Sequence, residues 1–174
     1  MKLNSLTNEK KVLYKNTILL YILVFSSYFF SFLSVPYQTR ILGPDYYGEV
    51  AFALAFMTYF RLVIDFGFIL SATEEVAKNR NDKYELSRIV TAVSILKLFL
   101  IFVSFLLVMY LLSVVNRFEQ DKTLYLITFL SVAASSFLPD YLYRGIENMK
   151  TITIRTVVIK FFFVVMIFIF LKDK

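Results

Sequence analysis

The feature that most constrains this chain is the length of its apolar runs. Residues 17–38 hold no Asp, Glu, Lys or Arg. A helix needs about 20 such residues to cross a hydrocarbon layer roughly 30 Å thick. Comparable runs follow at about 46–72, broken by Glu49, Arg61 and Asp65, and at 89–115, which holds only Lys97. Two more lie at 123–143, with Asp140, and at 152–171, with Arg155 and Lys160. The expected fold is therefore all-α: a polytopic membrane helix bundle of about five transmembrane helices, with residues 1–174 as a single transmembrane region. Composition agrees, since 59% of the residues are hydrophobic where soluble domains run at about 45–50%.

The segment Ile41-Leu42-Gly43-Pro44-Asp45 reads as the junction between the first two helices. Gly43 can take the left-handed conformation that ends a helix, and Pro44 suits the first turn of the next. A tight helical hairpin is expected there. Lys2, Lys10, Lys11 and Lys15 resemble the basic start of a signal peptide, but the apolar run behind them is too long and no small-residue cleavage site ends it. A retained first helix is expected. Flanking Lys and Arg set orientation. Four lie before the first helix and one, Arg40, follows it. Lys78, Arg80, Lys83 and Arg88 follow the second, Arg117 and Lys122 the third, and Arg144, Lys150 and Arg155 the fourth. This alternation puts the N-terminus in the cytoplasm.

Absences narrow the chemistry. There is no Cys and no His, so neither disulfides, thiolate metal sites nor the usual pH switch are available. The net charge of +6 reads as membrane orientation, not nucleic-acid binding, because the basic residues flank the apolar runs. No G-x-x-x-x-G-K-[ST], H-E-x-x-H or G-x-S-x-G occurs. The chain is expected not to be an enzyme, to hydrolyse no ATP by itself, and to need no cofactor or metal. The loops are too short for the nucleotide-sugar site of a glycosyltransferase.

Polar residues inside the helices carry the functional signal, because residues three, four or seven apart share a helix face. Ser27, Ser31, Ser34 and Gln38 align in the first span, and Thr58, Arg61 and Asp65 in the second. Lys97 and Ser104 align in the third, with Ser94 nearby. Ser136, Asp140, Arg144 and Glu147 form a stripe at the fourth, and Thr153, Thr156 and Lys160 one in the fifth. A charge facing lipid at a helix centre costs about 2.5–3.5 kcal/mol even on lenient scales. Such groups are expected to face one another or a hydrated interior. Structural readings stand beside this. Ser and Thr stripes serve as packing faces, Arg61 and Asp65 can satisfy each other at i,i+4, and Asp140, Arg144 and Glu147 can form an interfacial salt-bridge cluster. Lys97 and Lys160, without a carboxylate at i±3 or i±4, need one on another helix, a solvated cavity, or a path to the interface. Candidate cationic groups for an anionic ligand are Arg61, Lys97, Arg144 and Lys160. Asp65, Asp140 and Glu147 are candidates for charge balance or for carrying a coupling proton.

Three local strings resemble one family. Pro36-Tyr37-Gln38-Thr39-Arg40-Ile41-Leu42-Gly43-Pro44-Asp45-Tyr46-Tyr47-Gly48 is similar to the segment after the first helix of Wzx-type O-antigen flippases. Tyr59-Phe60-Arg61-Leu62-Val63-Ile64-Asp65-Phe66-Gly67-Phe68, with Ala72-Thr73-Glu74-Glu75-Val76-Ala77 behind it, resembles their second helix. Pro139-Asp140-Tyr141-Leu142-Tyr143-Arg144-Gly145-Ile146-Glu147-Asn148-Met149-Lys150 resembles the boundary of the fourth, with Tyr141 where Trp is common and Arg144 where Gln is common.

The resemblance implies the multidrug/oligosaccharidyl-lipid/polysaccharide exporter superfamily, with helices in two six-helix lobes and alternating access. The implied substrate is an undecaprenyl-diphosphate-linked oligosaccharide repeat, moved across the bacterial inner membrane for O-antigen or capsule synthesis by an ion gradient. Arg and Lys suit its diphosphate. The implied partners are this lipid-linked oligosaccharide, membrane lipids, the remaining transporter helices or other copies of the chain, and the polysaccharide polymerase and ligase. Five helices make only part of an N-terminal lobe, so a piece of a longer product is expected. A truncated inactive copy and a small oligomerising protein are the alternatives on length. On function the alternatives are a structural subunit of a glycan-assembly complex and a drug or peptidoglycan-precursor exporter of the same superfamily.

Overall fold

The structure is a computed structural model that describes residues 2–115, 118 and 121–171. Arg117, used above for orientation, and the terminal Lys172-Asp173-Lys174 lie outside the described residues. Among the described residues six α-helices follow in order: α1 (Lys2–Asp65), α2 (Phe68–Lys78), α3 (Lys83–Val114), α4 (Lys122–Ser136), α5 (Asp140–Gly145) and α6 (Met149–Phe170). No strand occurs among the described residues, and the fold is all-α. Four helical stretches, Lys11–Lys78, Lys83–Val114, Lys122–Gly145 and Met149–Phe170, are long and apolar enough to cross a membrane. The first, at 68 residues, would extend about 100 Å at 1.5 Å per residue, roughly three bilayer cores. Interruptions divide it.

Each interruption has a local cause. Gly43 sits inside α1 with φ 77 and ψ 163. Positive φ was expected, but this ψ is extended and not left-handed helical, a region essentially restricted to glycine. Pro44 follows directly and adds no amide hydrogen. At the end of α1, Phe66 (φ 37) and Gly67 (φ 76) turn the chain through positive φ, where glycine carries no steric penalty. The helix resumes at Phe68. Pro139 ends α4, because proline forbids the helical conformation at the residue before it and donates no hydrogen bond. Glu147, at φ 59, separates α5 from α6. The start of α3 is firmly capped, with the Asp82 carboxylate accepting from Tyr84 N at 2.9 Å and Glu85 N at 3.2 Å.

The chain forms two compact units, residues 1–47 with 147–174, and residues 48–146. In the first, the N-terminal segment of α1 and helix α6 run side by side in the same direction. Asn16 Nδ2 donates to Glu147 O at 3.0 Å, Thr153 Oγ1 to Leu19 O at 3.2 Å, and Tyr37 OH to Leu171 O at 2.6 Å. The Tyr37 ring also lies 4.3 Å from that of Phe168. The Ser27 and Ser31 hydroxyls donate to Leu23 O and Ser27 O of their own helix, so that stripe is self-satisfied. Tyr37→Phe removes one hydrogen bond from the α6 terminus, and a loss of about 1 kcal/mol is expected. Thermal unfolding in detergent measures it, and an unchanged midpoint rejects that contribution.

In the second unit, the C-terminal segment of α1 packs with α3 and α4. Met57, Ile64 and Val108 are completely buried there, alongside Phe60, Phe118, Tyr125 and Phe129. A satellite cluster joins α2, α5 and the start of α3 through Ala72, Val76, Val93 and Tyr141. Outside these contacts the helices are apolar all round, with Phe32, Leu70, Leu98, Leu130 and Phe170 exposed. This is the surface expected where the solvent is lipid.

Candidate functional site

Three helices of the second unit converge on one ammonium group. Lys97, in the middle of α3, is 6% exposed. Its Nζ donates to Asp65 Oδ1 at 2.9 Å and to Ser136 O at 2.7 Å. Asp65 is the last residue of α1, and Ser136 the last of α4. The carboxylate missing from Lys97's own helix is therefore supplied by another, and the residue does not escape to the interface. Ser136 O belongs to the buried carbonyl end of a helix cut off by Pro139. Such an end carries partial negative charge and favours a cation.

The other oxygen of Asp65 faces Arg61, with Nε to Oδ2 at 3.5 Å. Asp65 thus joins two cations, one buried and one open. The Lys97 side chain is 8% exposed and that of Arg61 55%. Both donor directions of Lys97 resolved here are committed to protein acceptors. The Arg61 side chain, by contrast, reaches the surface. A small cavity of about 40 Å³, lined by Arg61, Asp65, Lys97, Ser136, Asp140 and Tyr141 among others, adjoins the cluster. Its size suits about one water. The hydroxyl of Ser136 is buried at this cavity with no protein partner among the described residues.

The remaining expected residues divide between the units. Asp140 opens α5 and lines the same cavity. Arg144 lies one turn further along α5, and its Nε is buried without a protein acceptor among the described residues. The fourth stripe is a correction: Ser136, Asp140, Arg144 and Glu147 do not share one continuous helix, because the chain breaks at 137–139 and again at 146–148. Glu147 and Lys160 belong to the other unit. Lys160 is half-buried on α6 and makes no ion pair among the described residues. Thr153 of the same stripe is buried and bonded to α1 and to Met149 O.

Sequence reasoning missed the Ser136 carbonyl, since every residue carries one. The available signal was Pro139 three residues later, which leaves carbonyls at a helix end within an apolar run. Among the described residues, no cluster of three or more His, Cys, Asp or Glu is arranged to hold a metal ion.

Residues 13–173 match the family described as "Polysaccharide biosynthesis protein". Two curated relatives carry the name "Putative O-antigen transporter". One, from Escherichia coli (strain K12), is 27% identical over 169 residues, covering 97% of this chain and 41% of its own length. The other, from Shigella dysenteriae, is 29% identical over 159 residues, covering 91% of this chain and 40% of its own. The chain therefore spans about two fifths of the length of these relatives. No solved structure matches.

Proposed function

This chain belongs to the polysaccharide biosynthesis protein family, and we propose that it forms the N-terminal part of a flippase for undecaprenyl-diphosphate-linked oligosaccharide repeats. In this reading it acts by transport and not by catalysis, as a multi-pass protein of the bacterial inner membrane. The observation that carries it is the inward-turned charge of the second unit. Lys97 is buried between three helices instead of facing lipid, and it holds Asp65 beside an open Arg61.

The roles of the cations then separate. Lys97 ties the helices together. Arg61 offers a largely exposed guanidinium, a group that suits paired phosphate oxygens. Arg144 and Lys160 are further phosphate contacts, with Asp65, Asp140 and Glu147 balancing charge or carrying a coupling proton. The remaining transporter helices, other copies of the chain, and the polysaccharide polymerase and ligase are the proposed protein partners.

The proposed topology has five crossings and a cytoplasmic N-terminus. The same-direction pairing of α1's first segment with α6 supports it. Two spanning helices that run the same way need an odd number of crossings between them. Dividing α1 at Gly43 gives three, whereas leaving it as one crossing gives two. With the orientation set by the Lys and Arg count, Asp65, Lys97 and Ser136 all lie about 10–12 Å inside the cytoplasmic edge, reckoned at 1.5 Å per residue.

Arg61→Gln or Lys160→Gln in the full-length protein is expected to reduce surface glycan at unchanged protein level. Loss of one charge-assisted phosphate contact is worth about 1.5–3 kcal/mol, or roughly 10–100-fold in substrate affinity. Normal glycan at normal expression removes that residue from the substrate path. A flipping assay with defined lipid-linked substrates separates an oligosaccharide carrier from a drug or peptidoglycan-precursor exporter.

A further inference from the structure

Three grooves lie along one face of α3, and their chemistry changes with depth. At the N-terminal end, one groove of about 350 Å³ runs between α3 and α5, lined by Lys83, Val90, Leu142 and Ile146 among others. A second, of about 390 Å³, has Tyr84 and Arg88 outermost and Ile95 deepest. The two share Ser87 and Thr91. Further along, an almost wholly apolar groove of about 620 Å³ lies between α3 and α4, lined by residues including Leu98, Phe102, Phe105 and Leu130. Ser87, Thr91, Leu98, Phe102 and Phe105 follow spacings of four, seven, four and three, which place them on one helix face.

We infer that this face of α3 is a binding site for an anionic phospholipid of the cytoplasmic leaflet. Lys83 and Arg88 face its phosphate, Ser87 and Thr91 stand at the level of its ester groups, and Leu98, Phe102, Phe105 and Leu130 line one acyl chain. The charges permit this. Asp82 is engaged in capping the helix. Glu85 makes only a marginal contact to Arg88, at 3.5 Å. Lys83 is exposed and makes no ion pair among the described residues. The dimensions also agree, because Thr91 to Phe105 spans about 20 Å at 1.5 Å per residue, close to the length of an extended acyl chain. Interfacial cations attract anionic lipid by about 1 kcal/mol each, so two of them imply a preference of roughly thirtyfold over a zwitterionic lipid. The site is separate from the Asp65–Lys97 cluster and does not depend on the transported substrate.

Native mass spectrometry of the chain, released from nanodiscs of equal phosphatidylglycerol and phosphatidylethanolamine, tests this. One retained phosphatidylglycerol per chain is expected, with about a thirtyfold preference. Lys83→Gln with Arg88→Gln should abolish the preference, and Leu130→Trp, which fills the apolar groove without altering charge, should lower total retention. Equal retention of both lipids overturns the inference, as does a preference that survives the double substitution. Retention unaffected by Leu130→Trp overturns the groove, and lipid-free dimers that dissociate on Leu130→Trp reassign the face to a second copy of the chain.

Discussion

Lys97→Met is expected to be the most damaging single substitution in this chain, with a loss of about 3–5 kcal/mol of stability. Removing one partner of a buried ion pair costs that much because the other is left uncompensated. Here the loss is double. Asp65 keeps only Arg61, at 3.5 Å and largely exposed, and Ser136 O loses its 2.7 Å donor at the end of α4. Methionine matches the lysine stem in size, so packing changes little and charge dominates. The thermal unfolding midpoint in detergent and the abundance in the membrane should both fall. Asp65→Asn combined with Lys97→Met should be less damaging than the two single changes added together, because no unpaired charge stays buried, the Arg61 side chain being 55% exposed. Strict additivity, or a Lys97→Met midpoint equal to that of the parent, would show that the pair does not hold these helices.

Gly145→Val should rank second, at about 3 kcal/mol. A Cβ built at Gly145 would lie 2.7 Å from Val76 Cβ and 2.9 Å from Thr73 O, closer than real side-chain carbons approach. Small residues allow this kind of close helix packing in membranes. Overfilling such a contact costs about 1–3 kcal/mol, and valine sits at the upper end because the Thr73 carbonyl is backbone and cannot swing away. The displaced pair would be α2 and α5, which Thr73 Oγ1 also links through Tyr141 O at 3.3 Å. Gly145→Ala should be milder, and Val76→Ala added to it should restore part of the loss by giving the new methyl room. No gain from Val76→Ala would assign the clash to the backbone alone.

Much of this arrangement is legible in the sequence. The apolar runs gave the helices, since length and absence of charge act locally. Arg61 and Asp65 share a face by spacing alone, and the lack of an in-helix carboxylate marked Lys97 as needing a partner elsewhere. Which partner depends on helix packing, which periodicity does not encode, and the Ser136 carbonyl has no signature in residue type. The fourth stripe failed for a related reason. Spacing arguments assume an unbroken helix, and Pro139 removes that assumption between Ser136 and Asp140. Much of the charged stretch between the second and third apolar runs is helical, because α2 continues to Lys78 and α3 starts at Lys83 behind its cap Asp82. Charge there reflects an aqueous surrounding and not loss of helix.

Tyr37 and Leu171, which hold the ends of one helix pair together, are 134 residues apart in the chain. At ribosomal rates of about 5–20 residues per second, the first helix waits roughly 7–27 s in the bilayer before its mate is synthesised. During that interval the hydroxyls of Ser27 and Ser31 need no neighbour, since they bond to their own backbone. The nascent helix can therefore idle among lipids without recruiting the wrong companion until α6 has been made.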